Sequence, residues 1–246
     1  MENFKDQVVI VTGGTRGIGA GIAKGFLNEG AVVVSTYAGN DEKALAFKSL
    51  MGEMSERLHL RKFDVSKKEE VDAFWNWAGE TFEQVHVLVN NAGIREDGIL
   101  ASLEESAWDR VIDINLKGTY LMSQGAVLKM MKSRYGRIVN MSSIGGALGL
   151  PGQSNYAASK AGQVAMAKTL SKEVAKRGIT VNCVLPGFIE TELISDLPEE
   201  QVKAYKASVP LKRFGSTQEV AHAVQFLASS GAAYITGTTL EIAGGL

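Results

Sequence analysis

Apolar and β-branched residues recur along the chain in short blocks, separated by longer stretches with helical spacing. The blocks near 7–12, 31–36, 57–63, 85–90, 136–142, 179–185 and 238–242 read as strands. Residues 7–12 (Gln-Val-Val-Ile-Val-Thr) set the type: a nearly continuous apolar run, as in a parallel strand covered on both faces. Helical segments fill the intervals, the longest near 104–133 and 155–177. Strand and helix alternating from end to end predict one α/β domain over residues 1–246, with a doubly wound parallel sheet of about seven strands and helices on both faces. Such a sheet binds ligands beyond the carboxyl ends of its strands, where Thr12, Asn90, Ser142-Ser143 and Pro186-Gly187 all fall. Phe188–Gly215 is the one stretch without a clean strand and holds Pro198 and Pro210, so 188–215 reads as a lid over substrate rather than a plain connection.

The first block runs into Gly13-Gly14-Thr15-Arg16-Gly17-Ile18-Gly19, then a helix ending near Gly30, then the second block. Strand, glycine turn, helix and strand make a Rossmann-type βαβ unit for a dinucleotide. Glycines let the backbone approach a pyrophosphate, and the helix amino end offers free N–H groups. The spacing differs from the common G-x-G-x-x-G. An NAD site normally has an acid at the end of the second strand; Ser35-Thr36-Tyr37-Ala38-Gly39-Asn40 has none. With Arg16 in the turn as a cation for a 2′-phosphate, NADP(H) is the expected cofactor.

Tyr156-Ala157-Ala158-Ser159-Lys160, with Ser143 ahead of it, supplies a proton donor, a cation and a second hydroxyl. Residues four apart share a helix face, so the Tyr156 and Lys160 polar ends can converge. At about 4 Å and an effective dielectric near 20, their attraction is on the order of 4 kcal/mol, enough to draw a phenol toward neutrality. Ser143 would then bond the oxygen on which charge grows.

Taken together, Thr12-Gly13-x-x-x-Gly17-x-Gly19, Asn90-Asn91-Ala92-Gly93, Asn115, Ser143, Tyr156-x-x-x-Lys160 and Pro186-Gly187 resemble the short-chain dehydrogenase/reductase family, from about Lys5 to Leu246. Gly136–Asn140, Tyr156–Gly162, Gly178–Asn182, Pro186–Thr191 and Ile235-Thr236-Gly237 resemble most its 3-oxoacyl-[acyl-carrier-protein] reductases of fatty-acid synthesis. The resemblance implies NADPH-dependent reduction of a 3-oxoacyl thioester, with Tyr156 as acid, Ser143 on the carbonyl oxygen, and Lys160 tuning Tyr156 and bonding the nicotinamide ribose. Asn115 would position a water that relays protons to Lys160. Gly13, Thr15, Arg16, Gly17, Ile18, Gly19, Tyr37, Asn91, Ala92 and Gly93 would line the cofactor site. Asp64-Val65 would meet the adenine, although Asp64 or Ser66 would equally suit a helix N-cap. Pro186, Gly187, Ile189 and Thr191 would lie at the nicotinamide.

By the same resemblance, Arg134 and Arg177 match carrier-docking positions beside the active-site mouth; cations at helix carboxyl ends also simply complement the dipole. Arg95-Glu96 departs from the family's usual order of a small polar residue followed by arginine. That leaves an acyl-CoA or another ketone open as substrate. A non-catalytic NADP-sensing protein is the reading from a different class, but it would not need Ser143, Tyr156 and Lys160 together. A homotetramer is implied, with the 104–133 and 155–177 helices and Leu240–Leu246 at its interfaces.

Composition narrows the classes. A net charge of −1 gives no electrostatic case for nucleic acid. The lone Cys183 excludes an internal disulfide and fits a reducing, cytoplasmic setting. No apolar run reaches the roughly 18 residues of a membrane span. One cysteine and scattered His59, His86 and His222 offer no zinc spacing, and no G-x-S-x-G elbow supports a serine hydrolase. The Trp75-Asn76-Trp77 and Met130-Met131 stretches read as core or subunit contacts.

Overall fold

The strands lie where the apolar blocks predict: β1 (Val8–Val11), β2 (Val32–Tyr37), β3 (Leu58–Lys62), β4 (Val87–Asn90), β5 (Gly136–Met141), β6 (Ile179–Pro186) and β7 (Thr239–Ile242). All come from a computed structural model that describes residues 4–192 and 198–246. They form one parallel sheet in the order β3-β2-β1-β4-β5-β6-β7. The chain winds outward from β1 to β3, then returns to lay β4 beside β1. That reversal opens a crevice at the carboxyl ends of β1 and β4.

Successive side chains of a strand face opposite sides, and the core divides accordingly. Ile10, Leu88 and Ile138 join one apolar layer, while Val9, Val11, Val87, Val89 and Val139 join the other. The first layer is closed by α3 (Lys68–Thr81), α5 (Gly118–Ser133) and α7 (Ser154–Val174), which contribute Trp75, Met122, Met130 and Ala167. The second is closed by α1 (Gly17–Asn28) and by α9 (Thr217–Ala228), through Ile22, Phe26, Val220 and Val224. Helices α1 and α9 approach closely because α1 presents glycines: a Cβ on Gly21 would lie 2.6 Å from the Thr217 Cβ. The remaining helices are α2 (Asp41–Leu50), α4 (Glu105–Val111), the short α6 (Gly145–Leu148) and α8 (Glu199–Ser208). Among the described residues no helix is long and apolar enough to cross a membrane.

The stretch expected as one helix over 104–133 is interrupted. Between α4 and α5, residues Ile112–Lys117 form a π-helical turn. The wider turn lets the Asn115 carbonyl accept from side chains, the Thr119 hydroxyl at 2.6 Å and the Gln163 amide at 2.7 Å. Helix α7 ends, as its pattern suggests, in a 3-10 turn over Ala175–Arg177 and then Gly178 at φ +71°.

In the 188–215 segment, residues 193–197 lie outside the described residues. Its ends are pinned together: Gly215 N–H donates to the Phe188 carbonyl at 2.9 Å, and Glu190 N–H to the Gly215 carbonyl at 2.8 Å. Helix α8 stacks Tyr205 on Phe188, ring centroids 4.7 Å apart.

Candidate active site

The crevice side nearest β1 is made of backbone. Gly13 (φ +61°) and Gly17 (φ +51°) take left-handed conformations that other residues adopt only with strain. Gly19 has no room for a side chain, since a Cβ there would collide with the Gly13 carbonyl and the Asn91 amide. The first turn of α1 carries no acidic residue and no side-chain cap, so its dipole stays open to an anion. Thr12 and Asn91 lock this loop to the end of β4. The Thr12 Oγ1 accepts from the Asn91 and Ala92 N–H groups, both at 2.9 Å, and the Asn91 amide donates to the Thr12 carbonyl at 2.9 Å. Beneath them Asn90 donates to Ser123 Oγ and to Asn140 Oδ1, each at 2.9 Å, bracing β4 against β5. The Thr191 methyl lies 3.8 Å from where a side chain on Gly17 would begin, so the segment after β6 reaches over the glycine turn.

At the adenosine end, Tyr37 Oη donates to Asp41 Oδ1 at 2.9 Å, and Lys62 Nζ reaches the other Asp41 oxygen at 2.6 Å. An acid therefore does stand near the end of β2, from the first turn of α2, and Lys62 and Tyr37 hold its carboxyl below the usual range. Arg16 makes no ion pair among the described residues.

The opposite side is made of side chains. Ser143, just past β5, accepts from the Gly145 N–H at 3.1 Å and hydrogen-bonds the Tyr156 hydroxyl. Asn155 fixes the start of α7: its Oδ1 accepts from the Tyr156 N–H at 2.7 Å, and its amide donates to the Glu96 carbonyl at 2.9 Å. Lys160, four residues on, is buried and donates to the Met141 carbonyl at 2.7 Å. Asn115 grips the loop after β4, accepting from the Ile94 N–H at 2.8 Å and donating to the Ile94 carbonyl at 3.0 Å. Gly93 makes this convergence possible, since a Cβ there would lie 3.2 Å from Asn115 Oδ1 and 3.6 Å from Lys160 Nζ. Hydroxyl pair, ammonium and glycine cradle thus face one crevice.

A family model described as enoyl-(acyl carrier protein) reductase matches residues 13–246. The chain is 42% identical over 243 residues to the 3-oxoacyl-[acyl-carrier-protein] reductase FabG of Haemophilus influenzae, covering 99% of each. It is 41% identical over 244 residues to the protein of that name from Escherichia coli K12, covering 99% of this chain and 98% of the relative. Nodulation protein G of a Rhizobium species (strain N33) is 41% identical over 246 residues, covering 100% of this chain and 99% of the relative.

The chain belongs to the short-chain dehydrogenase/reductase family.

Within this family architecture the structure brings Ser143, Tyr156, Lys160, Asn115, the glycine turn and Asn91–Gly93 together. Pro186 and Gly187 close the far side, with the Pro186 carbonyl accepting from the Ile144 N–H at 3.3 Å. Ile189 is buried and bridges to Gly215.

Other expectations need correction. The Lys160 ammonium does not sit at the Tyr156 oxygen: it lies 5.6 Å from the centroid of the Tyr156 ring, drawn to the Met141 carbonyl. Burial is therefore the main influence on the phenol and raises its pKa, opposed by the Ser143 hydrogen bond and by Arg95, and assisted by Asp97. Burial also pushes the Lys160 ammonium down to about 8, with Cys183 acting against it. Neither Asp64 nor Ser66 caps a helix. Asp64 Oδ1 accepts from the Ser66 N–H and hydroxyl at 2.9 and 2.7 Å, while the residue before α3 is Lys67, without a side-chain cap. Val65 packs against Gly118, whose Cβ would lie 2.7 Å from it.

Arg134 and Arg177 do not flank this chain's own mouth. They lie before β5 and β6, at the amino ends of the strands, and α7 separates Arg177 from Tyr156 by roughly 30 Å. Arg134 donates to the Lys176 carbonyl at 3.0 Å, so it serves the helix end, and Arg137 is buried over the Tyr135 ring.

Sequence reasoning missed Asn155 and Gln163, which are fully buried polar residues on the inner face of α7; polarity on that face was the available signal. Among the described residues no group of three potential ligands could hold a metal ion. His86 is structural, its Nδ1 accepting from the Val8 N–H at 3.0 Å. Cys183 is a neutral buried thiol, pushed up to about 12 by burial.

Proposed function

We propose that this protein reduces the keto group of a 3-oxoacyl thioester to the 3-hydroxyl with NADPH, as in fatty-acid synthesis. The observation carrying this reading is the hydrogen-bonded Ser143–Tyr156 pair beside a glycine cradle that only backbone can line. The cradle fits a dinucleotide: Gly13, Gly17 and Gly19 admit a pyrophosphate at the α1 terminus, Thr15 and Ile18 flank it, and Asp64-Val65 lie toward the adenine. Arg16, with Tyr37 and Lys62, would meet a 2′-phosphate; Asp41, already held by Lys62, opposes it less than a free carboxylate would. Gly187, Ile189 and Thr191 would close over the nicotinamide. When bound, the cofactor supplies a hydride to the keto carbon.

Ser143 donates to the keto oxygen and fixes its position, because Gly145 already occupies one of the hydroxyl's acceptor sites. Tyr156, kept a neutral phenol at pH 7 by burial, holds the proton that the growing alkoxide takes. Lys160, mostly charged at pH 7, stabilises the phenolate left behind. Asn115 keeps the Gly93 loop against Lys160.

The expected homotetramer gives the exposed apolar side chains Tyr120 and Leu128 of α5 a place to pack. It also gives Arg134 and Arg177 a role, since they can serve only the mouth of a neighbouring copy. The single buried thiol suits the cytoplasm.

The test is NADPH oxidation with acetoacetyl-carrier protein, acetoacetyl-CoA and crotonyl-carrier protein, repeated with NADH and at low and high salt. Rapid, salt-sensitive turnover of the first establishes the reading. A CoA preference moves the protein to another ketone pathway. Turnover of the crotonyl substrate alone replaces keto reduction with the enoyl chemistry of the family description.

A further inference from the structure

Helix α7 carries one buried polar side chain that the chemistry above does not use. Gln163 stands three residues after Lys160, wholly inaccessible to solvent. Its Nε2 donates to the Asn115 carbonyl and to Thr119 Oγ1, both at 2.7 Å, and its Oε1 accepts from Lys160 Nζ at 3.4 Å. The orientation of this amide is fixed by chemistry. A backbone carbonyl can only accept and an ammonium can only donate, so nitrogen must face Asn115 and oxygen must face Lys160. The Thr119 hydroxyl agrees: it gives its proton to the Asn115 carbonyl and receives the second N–H of Gln163. Every proton in the chain from Lys160 to Asn115 is assigned.

We propose that Gln163 is a positioning residue for the reduction, a strut that fixes the Lys160 ammonium relative to the Asn115 carbonyl and favours its charged form. The proposal rests on the reading of Lys160 as part of the catalytic cluster. The titratable groups facing Lys160 are few. Tyr156 comes from its own helix and Cys183 from β6. The π-turn and β5 present only neutral acceptors, Gln163 being anchored on the former and the Met141 carbonyl belonging to the latter. Arg95 and Asp97, from the loop after β4, act on Tyr156. No carboxylate among the described residues pairs with the ammonium, so two oxygens, one from Met141 and one from Gln163, stand in for lost water. An amide polarised at its nitrogen by a carbonyl is the better acceptor at its oxygen.

The experiment is a pH titration of the full-length protein, without cofactor, labelled with 13C at lysine Cε and followed by NMR. The Lys160 resonance is assigned by its loss in Lys160→Met. Gln163→Met keeps the volume and removes the acceptor, so the Lys160 midpoint should fall by roughly half to one pH unit. Gln163→Glu places an anion at the same point, so the midpoint should rise. The alkaline limb of kcat/KM, where activity is lost as Lys160 deprotonates, should move in the same two directions. A merely structural glutamine would lower Tm and leave both midpoints in place; that result from folded Gln163→Met overturns the proposal. If Gln163→Met does not fold, Thr119→Val decides, because it removes one anchor of the amide: a lowered midpoint supports the strut and an unchanged one overturns it. Failure of the underlying reading is separate, since it shows as Lys160→Met retaining most turnover while the NMR midpoints still shift.

Discussion

On the β1 side of the crevice, the groups facing a ligand are backbone amides, released by Gly13 and Gly17 and approachable because Gly19 is bare. On the α7 side they are side chains: Ser143, Tyr156 and Lys160, tied to neighbours on four other elements. A backbone site binds what is common to a class of ligands and tolerates no added atoms. A side-chain site can be altered atom by atom, and its chemistry depends on who holds each proton. Damage to the first should therefore appear as lost affinity, and damage to the second as lost turnover.

The sharpest test of that division is Tyr156→Phe. It removes the transferable proton and leaves the cradle untouched, so kcat should fall by about 10³-fold or more while the NADPH Kd stays within a factor of a few. Parallel turnover and fluorescence titrations check both halves; substantial residual turnover would remove Tyr156 from its role. Gly19→Ala is the mirror case. The new methyl meets the Gly13 carbonyl, and overpacking of this kind costs about 1–3 kcal/mol. The NADPH Kd should rise roughly 10- to 100-fold, with kcat at saturation far less affected. Equal loss of both constants would erase the distinction drawn here.

Two smaller effects refine it. Arg16→Ala should reduce the preference for NADPH over NADH by about 10-fold, read as the ratio of kcat/KM values, with the NADH rate nearly unchanged. An equal loss for both cofactors would make Arg16 a general phosphate ligand. The smallest concerns the capping box that opens α9 against α1. Glu219 accepts from the Ser216 N–H at 2.8 Å and pairs with Arg213 at 2.6 Å, which holds its carboxyl at about 2, below its ordinary 4.5. A depressed pKa stabilises the fold above about 4.5, and that contribution fades as pH falls toward about 2. Glu219→Gln should lower Tm by about 2–4 °C near neutrality, with a gap that closes on acidification. A gap independent of pH would assign the loss to shape alone.

The same contrast explains what was legible in the sequence. Strands declare themselves by apolar runs, and the glycine turn by the one residue type able to take its conformations, so sheet and cradle could be read directly. Tyr156 and Lys160 could be paired from their spacing, since a helix puts them on one face. Where each polar tip goes is decided by partners remote in sequence: Met141 for Lys160, Asp41 for Tyr37, and Asn115 for Gln163. The π-turn that exposes the Asn115 carbonyl has no sequence mark of its own. The placing of Arg134 and Arg177 was within reach. Both precede strands of a parallel sheet, so they must lie at its amino edge, away from the carboxyl ends where ligands bind.

The turn at Ile112–Lys117 also acts as a phase shift. One residue more than an α-helical turn rotates everything beyond it by about 100°, so α4 and α5 share an axis but not a stripe. Without that offset Met122 and Met130 would not point inward, nor would Leu128 point away from the sheet. A single added residue thus sets both which carbonyl the catalytic helix can reach and which flank of α5 the molecule shows to its surroundings.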